Sequence, residues 1–312
     1  MNELVSVVTP SYNQGPFIEA TLRSVARQEH APVEHIVLDA GSTDGTHAVL
    51  EQYARDHGLR WRAEPDDGMY DAVNTGLRES TGVIVAYLNT DDLYLPWTLG
   101  SVVAAFRRHP DVDFVYGDVV KVDEQDGSLT LVFAPPFSAA YLRRLGSLFQ
   151  PAVFWRRSVM DEVGAFDAGL RFGGDLDFWI RALDRHRFHK LDEVLAVERI
   201  HPAAKSSAQA AELHEEERRI RERHEPLPQL LADASRMVER GRTWAWRRAY
   251  WLAFAAACGL EQPHGRWSRF ISACRPTIRP GALLAAQVPV IGHRYAARAI
   301  SITEPGALGL DG

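Results

Sequence analysis

The chain has 312 residues, enough for one large α/β domain with an appendage or for two domains. Its 46% hydrophobic and 24% charged residues are typical of a globular protein, and a net charge of −6 argues against a general nucleic-acid-binding function. Two cysteines exclude a disulfide framework. We expect no signal peptide and no membrane-spanning helix, because no basic-then-apolar segment follows Met1 and no stretch reaches about 20 apolar residues. These features favour a cytoplasmic protein.

The charge is unevenly distributed along the chain. Residues 236–299 contain eleven Arg, no Lys and two Glu, a local charge of +9, so the rest of the chain carries −15. The acidic residues gather in the first two-thirds, several of them near the ends of predicted strands. Acidic clusters of this kind can hold a divalent cation.

Strands and helices alternate over the first 116 residues. Apolar, β-branched runs predict the strands, and apolar residues at helical spacing predict the helices. Alternation of this kind predicts a parallel sheet with crossover helices, whose ligands bind at the carboxyl ends of the strands. In chain order the predicted elements are the strand Leu4–Pro10, the helix Pro16–Gln28, the strand Val33–Asp39, the helix Thr46–His57, the strand Leu59–Glu64, the helix Met69–Ser80, the strand Val83–Leu88, the helix Leu95–His109 and the strand Asp113–Tyr116.

The pattern changes after Gly117. Gln125-Asp126-Gly127 predicts a hairpin between two further strands. Small and polar residues at Lys205–Ala211 predict a linker, so we divide the chain into a domain at 1–207 and a mainly helical extension at 208–312. The remaining predicted elements are the hairpin strands Val119–Asp123 and Ser128–Phe133, the strand Gln150–Trp155, the helix Leu176–Leu183, the strand Leu191–Ile200 and the helix Leu213–His224 with Glu215/Arg219 and Glu217/Arg221 pairs.

Polar, acidic or glycine-rich loops follow each of the first four strands. In the fourth loop, Asp91 and Asp92 are adjacent and repel each other unless a cation or hydrogen bonds compensate. Hard oxygen ligands of this kind suit Mg²⁺ or Mn²⁺. The alternative for the pair is a solvated turn that caps the next helix.

Three further motifs carry carboxylates. Asp39 ends a strand beside Gly41, where it could bind a ribose or a uracil imino group or simply belong to a tight turn. The segment around Asp66 leads to Asp71 and Asn74 at a helix start, which is either a ligand site or a solvated, capped first turn. Asp175 follows two glycines and is either a general base or a helix N-cap.

Taken in this order, the motifs resemble those of glycosyltransferase family 2. The resemblance covers Leu4 to about Ser207. Residues 7–13 (VVTPSYN), with Pro10, Tyr12 and Asn13, resemble the nucleotide-contacting first strand and loop of that family. Residues 38–46 (LDAGSTDGT), 66–76 and 88–92 (LNTDD) are similar to its second nucleotide loop, its donor-side helix and its metal-binding acidic motif.

The resemblance implies an α/β fold of the GT-A type, with a Rossmann-like, mostly parallel central sheet and a helical C-terminal extension. It implies inverting transfer from a nucleotide-diphosphate sugar, such as a UDP- or dTDP-sugar, to a sugar or lipid-linked sugar in bacterial surface polysaccharide or glycolipid synthesis. The residues that it assigns are Asp175 as the base, Asp92 and His201 as ligands of Mg²⁺ or Mn²⁺, and Pro10, Tyr12, Asn13, Asp39, Asp66, Asp71, Asn74 and Asp91 on the donor side.

Two positions depart from the family pattern. Ala40 replaces one of two acidic residues that often precede Gly-Ser in the second loop, which leaves Asp39 alone there. Gly174 stands where the family usually has the Glu of a Glu-Asp pair, so a charge beside Asp175 is missing.

Other functions stay open at this stage. One alternative is a nucleotidyltransferase, which also uses acidic metal sites, although Ser11–Gly15 lacks the Lys or Arg of an activating loop. The other is a module that binds a nucleotide sugar without catalysis. For the extension, the alternatives are peripheral contact with the inner face of the membrane and packing, including homodimer formation. The prediction of membrane contact rests on a group of aromatic residues beside Arg242, Arg247 and Arg248, namely Trp244, Trp246, Tyr250, Trp251 and Phe254.

Overall fold

The computed structural model describes residues 3–125, 127, 129–134, 136–144, 146–202, 204, 209–224 and 298–299. They form a ten-stranded sheet flanked by helices. The strands are β1 (Val5–Ser11), β2 (Val33–Asp39), β3 (Arg60–Ala63), β4 (Ile84–Tyr87), β5 (Asp92–Tyr94), β6 (Phe114–Asp123), β7 (Leu129–Val132), β8 (Val153–Arg156), β9 (Phe188–Ile200) and β10 (Arg298–Ala299). The helices are α1 (Gly15–Ala26), α2 (Thr46–His57), α3 (Met69–Glu79), α4 (Thr98–Arg108), α5 (Ala139–Arg144), α6 (Val159–Val163), α7 (Gly174–Ala182) and α8 (Ala210–His224).

The first four strands form the parallel half of the sheet, in the order β3-β2-β1-β4. Ser11, the last residue of β1, is paired with Asp39, the last residue of β2, and Asp39 is paired with Ala63 at the end of β3. The loops after these strands therefore leave the sheet at one edge. This confirms the α/β class and the parallel arrangement expected from the alternating pattern.

The second half of the sheet is mixed. Strand β8 runs antiparallel to both β4 and β6, β7 forms a hairpin with β6, and β9 lies parallel to β6. The two strands predicted on either side of Gly117 form one strand, β6, with a register shift against β9 at this point. A Cβ atom at Gly117 would lie 2.6 Å from the Leu195 side chain, so the glycine lets the strand continue past its neighbour.

Apolar residues cover both faces of the sheet. On one face Ile18 and Leu22 of α1 and Leu50 of α2 pack against Val37 of β2. The other face carries a larger core, in which Phe166 and Phe178 stack with ring centroids 4.4 Å apart. Apolar burial is the main stabilising contribution to such a fold, and it fixes the strand ends that carry the polar loops.

Helix α8 lies within the predicted extension, yet it packs against α5 and α7. The division of the chain into a domain at 1–207 and an extension at 208–312 remains a prediction. Within the described part of the chain, no helix combines the length and the apolar character needed to cross a membrane. The aromatic residues on which the membrane prediction rests, Trp244, Trp246, Tyr250, Trp251 and Phe254, lie outside the described residues.

Candidate active site

Asp39 holds the first two loops together. Its carboxylate is enclosed, with 0% of the side chain exposed, and makes five polar contacts. Oδ1 accepts hydrogen bonds from the backbone N–H groups of Gly41 and Ser42 and lies 2.7 Å from Nε2 of His47, whereas Oδ2 accepts from the hydroxyls of Ser11 and Ser42. The pKa of Asp39 is lowered because these bonds outweigh the desolvation of the buried charge. In this structure Asp39 therefore braces the loop.

The first loop presents Tyr12 to solvent, with 60% of the residue exposed. Asn13 adopts a left-handed backbone conformation with φ of 51°, and its side-chain oxygen accepts the N–H of Thr43 at 2.9 Å. Pro10 is buried, and its carbonyl oxygen accepts the hydroxyl of Thr90 at 2.6 Å, which ties this loop to the acidic loop. Tyr12 is thus the residue of this loop that is free to contact a flat ligand.

The predicted donor-side residues occupy the start of α3. Asp66 accepts the N–H of Gly68 at 2.9 Å, and Asp71 accepts the N–H of Asp67 at 3.4 Å, so both carboxylates shape the turn before the helix. Asn74 is buried and forms two 2.9 Å hydrogen bonds with the backbone of Phe166. Asn74 therefore joins α3 to the segment that leads to α7, while Asp66 and Asp71 are half-buried at the edge of the sheet.

The acidic pair lies where β4 passes into β5. Asp92 is 4% exposed, and the pKa of its carboxyl is raised well above the ordinary value by burial first and by the negative charges of Asp91 and Glu198 next. The amide of Asn89 lies 3.5 Å from Asp92 Oδ2, a long hydrogen bond that offsets little of this penalty. The pair thus has too few donors of its own for two negative charges.

His201 contacts Asp91, with 3.2 Å between Nε2 and Oδ2. Its ring stacks on Phe17 at 4.2 Å, and its buried Nδ1 has no hydrogen-bond partner among the described residues. Arg199, near the end of β9 and two residues before His201, donates to the backbone oxygen of Asp91 at 2.6 Å and so fixes the acidic loop. The structure therefore brings the predicted metal ligand His201 to Asp91.

This corner of the site suits a divalent cation. The Asp92 carboxyl with its few donors, the neighbouring Asp91 and the imidazole of His201 supply oxygen and nitrogen atoms of the kinds that Mg²⁺ or Mn²⁺ accepts. Within the described ranges, no three His, Cys, Asp or Glu side chains are grouped to hold a metal ion by themselves. Magnesium in proteins is commonly held by one or two carboxylates together with substrate phosphates, so the donor set fits a cation that binds with its substrate.

Asp175 occupies the first turn of α7. Its Oδ1 accepts the N–H of Leu176 at 2.7 Å, and its own N–H donates to the hydroxyl of Tyr70 at 3.3 Å. Burial raises the pKa of Asp175 to about 7, and the negative charge of Glu217 acts in the same direction. A carboxylate with this pKa can take up a proton near neutral pH, as a general base must.

Tyr70 explains the glycine before Asp175. A Cβ atom at Gly174 would lie 2.7 Å from the Tyr70 ring, so a larger residue at this position would have to displace the tyrosine. The hydroxyl of Tyr70 donates to the carbonyl of Phe172 at 2.6 Å. Tyr87, at the end of β4, is within electrostatic reach of both Asp175 and Asp92, which raise its pKa after burial and the Tyr70 interaction. The two acidic centres therefore belong to one site.

Sequence reasoning missed several residues that build the site. Ser11, Ser42 and His47 surround Asp39, and none of them forms a charged motif. Arg199 had only a weak signal, because it is two residues before His201 but His201 lies beyond the end of β9. Glu217 had no local signal, because it reaches Asp175 from a helix more than 40 residues later in the chain.

Comparison with known proteins identifies the relatives of the chain. The model described as glycosyl transferase family 2 matches residues 6–171. The chain is 32% identical over 181 residues to a PGL/p-HBAD biosynthesis glycosyltransferase of Mycobacterium bovis (strain BCG / Pasteur 1173P2), an alignment that covers 57% of this chain and 69% of that protein.

Two solved structures share the fold. S. aureus TarS 1-349 in complex with UDP-GlcNAc has a TM-score of 0.56 and 19% identity, covering 81% of this chain and 81% of that chain. The mannosyltransferase PcManGT from Pyrobaculum calidifontis, in complex with GDP-Man and Mn²⁺, has a TM-score of 0.52 and 22% identity, covering 93% of this chain and 82% of that chain. At these identities the likeness is one of fold.

The Asp39 network generates a prediction about acid stability. Asp39→Asn places an amide N–H₂ among groups that donate, so we expect a loss of about 1–3 kcal/mol in the free energy of unfolding at neutral pH. Because folding lowers the pKa of Asp39, its contribution is complete above about pH 4 and is lost as the pH falls through the folded-state pKa. Urea unfolding of the wild type and of Asp39→Asn from pH 8 to pH 3 measures this effect. The difference between their free energies of unfolding should be constant above pH 5 and shrink below pH 4.

The exposed Asp56 of α2 provides the control. Asp56→Asn should leave the free energy of unfolding within about 0.5 kcal/mol of the wild type at every pH. A constant difference for Asp39→Asn down to pH 3 would contradict the idea that Asp39 is ionised in the folded protein.

Proposed function

The chain belongs to glycosyl transferase family 2 and is a glycosyltransferase, and from this premise we propose that it transfers a sugar from a nucleotide-diphosphate donor to an acceptor hydroxyl by a metal-dependent, inverting displacement. Its α/β fold is of the GT-A type. The observation that carries the proposal is the Asp91–Asp92 pair, in which the Asp92 carboxyl is buried beside a second carboxylate and its charge is incompletely compensated. A cation bound with a diphosphate would complete it.

On the donor side, Tyr12 offers an exposed ring for the nucleobase. Pro10 and Asn13 fix the loop that presents this ring, and Asp39 holds the second loop against the first. We assign Asp66 and Asp71, which are accessible to hydroxyls, to the wall on which the sugar and the diphosphate lie, and Asn74 supports this wall through its bonds to Phe166. Asp39 likewise has a supporting role, because it shapes the second loop without being exposed to the ligand.

Asp91, Asp92 and His201 would hold Mg²⁺ or Mn²⁺ together with the donor phosphates. When bound, the cation supplies positive charge that stabilises the departing nucleoside diphosphate. Arg199 keeps the backbone of Asp91 in place and adds a further positive charge near the pair. The PcManGT structure with GDP-Man and Mn²⁺ is the precedent within this fold.

Asp175 would act as the general base. The acceptor hydroxyl oxygen forms a bond to the anomeric carbon, the bond from that carbon to the diphosphate oxygen breaks, and the hydroxyl proton passes to the Asp175 carboxylate. A single displacement of this kind inverts the anomeric configuration. The pKa of about 7 lets Asp175 be largely ionised slightly above neutral pH and still accept a proton.

The nature of the donor is tested directly by a binding panel. Thermal shift and calorimetry with UDP, GDP, dTDP and their sugars, with and without Mn²⁺, should reveal one nucleotide that binds more tightly with the metal. TarS with UDP-GlcNAc and PcManGT with GDP-Man indicate which probes to try first. No metal-dependent binding of any nucleotide diphosphate would overturn the proposal.

The first prediction concerns the metal. In Asp92→Asn, neutralising a poorly compensated buried charge should leave the fold stable, whereas the metal-dependent gain in affinity for the nucleotide should fall by about tenfold or more. Calorimetric titration with UDP or GDP, with and without Mn²⁺, measures this gain. Asp56→Asn serves as the control, because Asp56 is exposed on α2. Equal metal-dependent gains in the wild type, Asp92→Asn and Asp56→Asn would rule out Asp92 as a ligand.

The second prediction concerns the base. Asp175→Asn should lower kcat by about 10²-fold or more and leave donor affinity unchanged. In the wild type, kcat/KM should fall about tenfold per pH unit below about pH 7, because protonation removes the base. Initial rates of transfer from the identified donor, taken from pH 5.5 to 9, test both points. Near-normal turnover of the variant would reduce Asp175 to a helix cap, and donor binding without transfer by the wild type would favour a binding module.

For the acceptor, we propose a sugar or lipid-linked sugar of bacterial surface polysaccharide or glycolipid synthesis. The M. bovis relative is named as a glycosyltransferase of PGL/p-HBAD biosynthesis, which supports a biosynthetic role. The arginine-rich region 236–299, with its charge of +9, would then meet anionic lipid. Packing or homodimer formation is the other role for this region.

A sedimentation assay separates these roles. If the region contacts lipid, the full-length protein should co-sediment with vesicles that contain anionic lipid at low salt and be released at about 0.5 M salt, because charge attraction is screened. A chain ending at residue 235 should sediment much less. Absence of the full-length protein from the vesicle pellet at low salt would leave packing or dimer formation.

A further inference from the structure

Glu216 of helix α8 binds the loop that leads into α7. Its Oε1 accepts the backbone N–H groups of Phe172 at 2.7 Å and Gly173 at 2.8 Å, and its Oε2 accepts the N–H of Arg171 at 3.1 Å. One carboxylate thus satisfies three successive backbone donors immediately before Asp175. Hydrogen bonds to a charged group are stronger than those between neutral groups, so this contact fixes the path of the loop.

The same helix lies directly against that loop. A Cβ atom at Gly173 would lie 2.6 Å from Cδ1 of Ile220 and 4.0 Å from Cγ of Glu217. On the next turn, Arg221 is 9% exposed and donates to the carbonyl oxygens of Leu142 and Gly146. Helix α8 therefore contacts both the loop before Asp175 and the segment around Leu142 and Gly146, and these contacts fix its position beside Asp175.

Glu217 lies against the loop before Asp175, with its Cγ 4.0 Å from the position that a Cβ atom of Gly173 would occupy. Gly174 has no side chain, and the Tyr70 ring fills the space that one would occupy. The charge of Glu217 nevertheless acts on Asp175 from α8 and raises the pKa of Asp175. A like charge nearby disfavours ionisation, so it makes the neighbouring carboxylate a stronger base.

We propose that α8 completes the site around Asp175: Glu216 fixes the loop before it, and Glu217 supplies the neighbouring negative charge. Both are positioning residues that act through Asp175 and do not touch the substrate. The inference rests on the proposed role of Asp175 as the base. A negative charge that Gly174 cannot supply thus comes from Glu217 of α8.

Other groups also face Asp175, and they are unchanged in the test. Tyr70 and Tyr87 are buried and neutral, and each has its pKa raised in part by the charge of Asp175. Arg221 carries the opposite charge, and its own pKa reflects both Glu217 and Asp175. Glu217 can be neutralised without altering any of these three side chains.

The test is a titration of Asp175 itself, which needs no substrate. The protein is labelled with aspartate carrying ¹³C at the carboxyl carbon, and the Asp175 resonance is assigned as the signal lost in Asp175→Asn. In Glu217→Gln the midpoint of this titration should fall by about 0.5–1 pH unit, because one like charge is removed. Glu222→Gln is the matched control, since Glu222 lies on the exposed face of α8 and pairs with Arg218. An unchanged midpoint in Glu217→Gln would overturn the role of Glu217.

Glu216 is tested by the same titration. Glu216→Ala removes all three hydrogen bonds, so water should reach Asp175 and its midpoint should fall toward the ordinary value of about 4. Glu216→Gln keeps an oxygen that can accept the N–H groups of Phe172 and Gly173, so the Asp175 midpoint in this variant should lie between those of the wild type and Glu216→Ala. Glu216→Gln stays informative if the alanine variant unfolds. Wild-type midpoints in both would overturn the positioning role. The outcome is separate from the proposed function, because loss of transfer in Asp175→Asn tests the base and these midpoints test only its surroundings.

Discussion

Parallel pairing of β1 with β2 on one side and β4 on the other is the constraint on which the site depends. It places the ends of these strands at one edge, so that short hydrogen bonds can join their loops. The N–H of Ala40 donates to the carbonyl of Ser11, and the hydroxyl of Thr90 donates to the carbonyl of Pro10. The apolar strands are buried on both faces, and they set the positions of polar loops that have little apolar surface of their own.

Three carboxylates of the candidate site respond to desolvation in different ways. Asp39 has enough donors to remain ionised, and its pKa is lowered. Asp92 has few donors and a like charge beside it, and its pKa is raised. Asp175 is raised to about 7 by burial and a more distant like charge. Identical side chains thus acquire the properties suited to a loop brace, a cation ligand and a base because their surroundings differ.

Local patterns were sufficient for much of the fold. Strand β2 at Val33–Asp39 and helix α2 at Thr46–His57 have the predicted bounds, because each is long, regular and bounded by turn residues. Strand β5 was missed, since its three residues pair with β9 about 100 residues later. The acidic motifs predicted from the sequence lie in the loops of the candidate site, but the bracing role of Asp39 depends on Ser11 and His47, whose proximity only the folded chain reveals.

The sequence predicts two i,i+4 charge pairs on α8. Glu215 and Arg219 do pair at 3.0 Å, whereas Arg221 is buried and donates to the backbone carbonyls of Leu142 and Gly146. One face of this charged helix is therefore part of the packing of the domain. A portable unit of this fold must consequently include α8: a fragment cut at the predicted linker, or a chimera joined there, would inherit the acidic loops but leave the Arg171–Gly173 segment without its anchor.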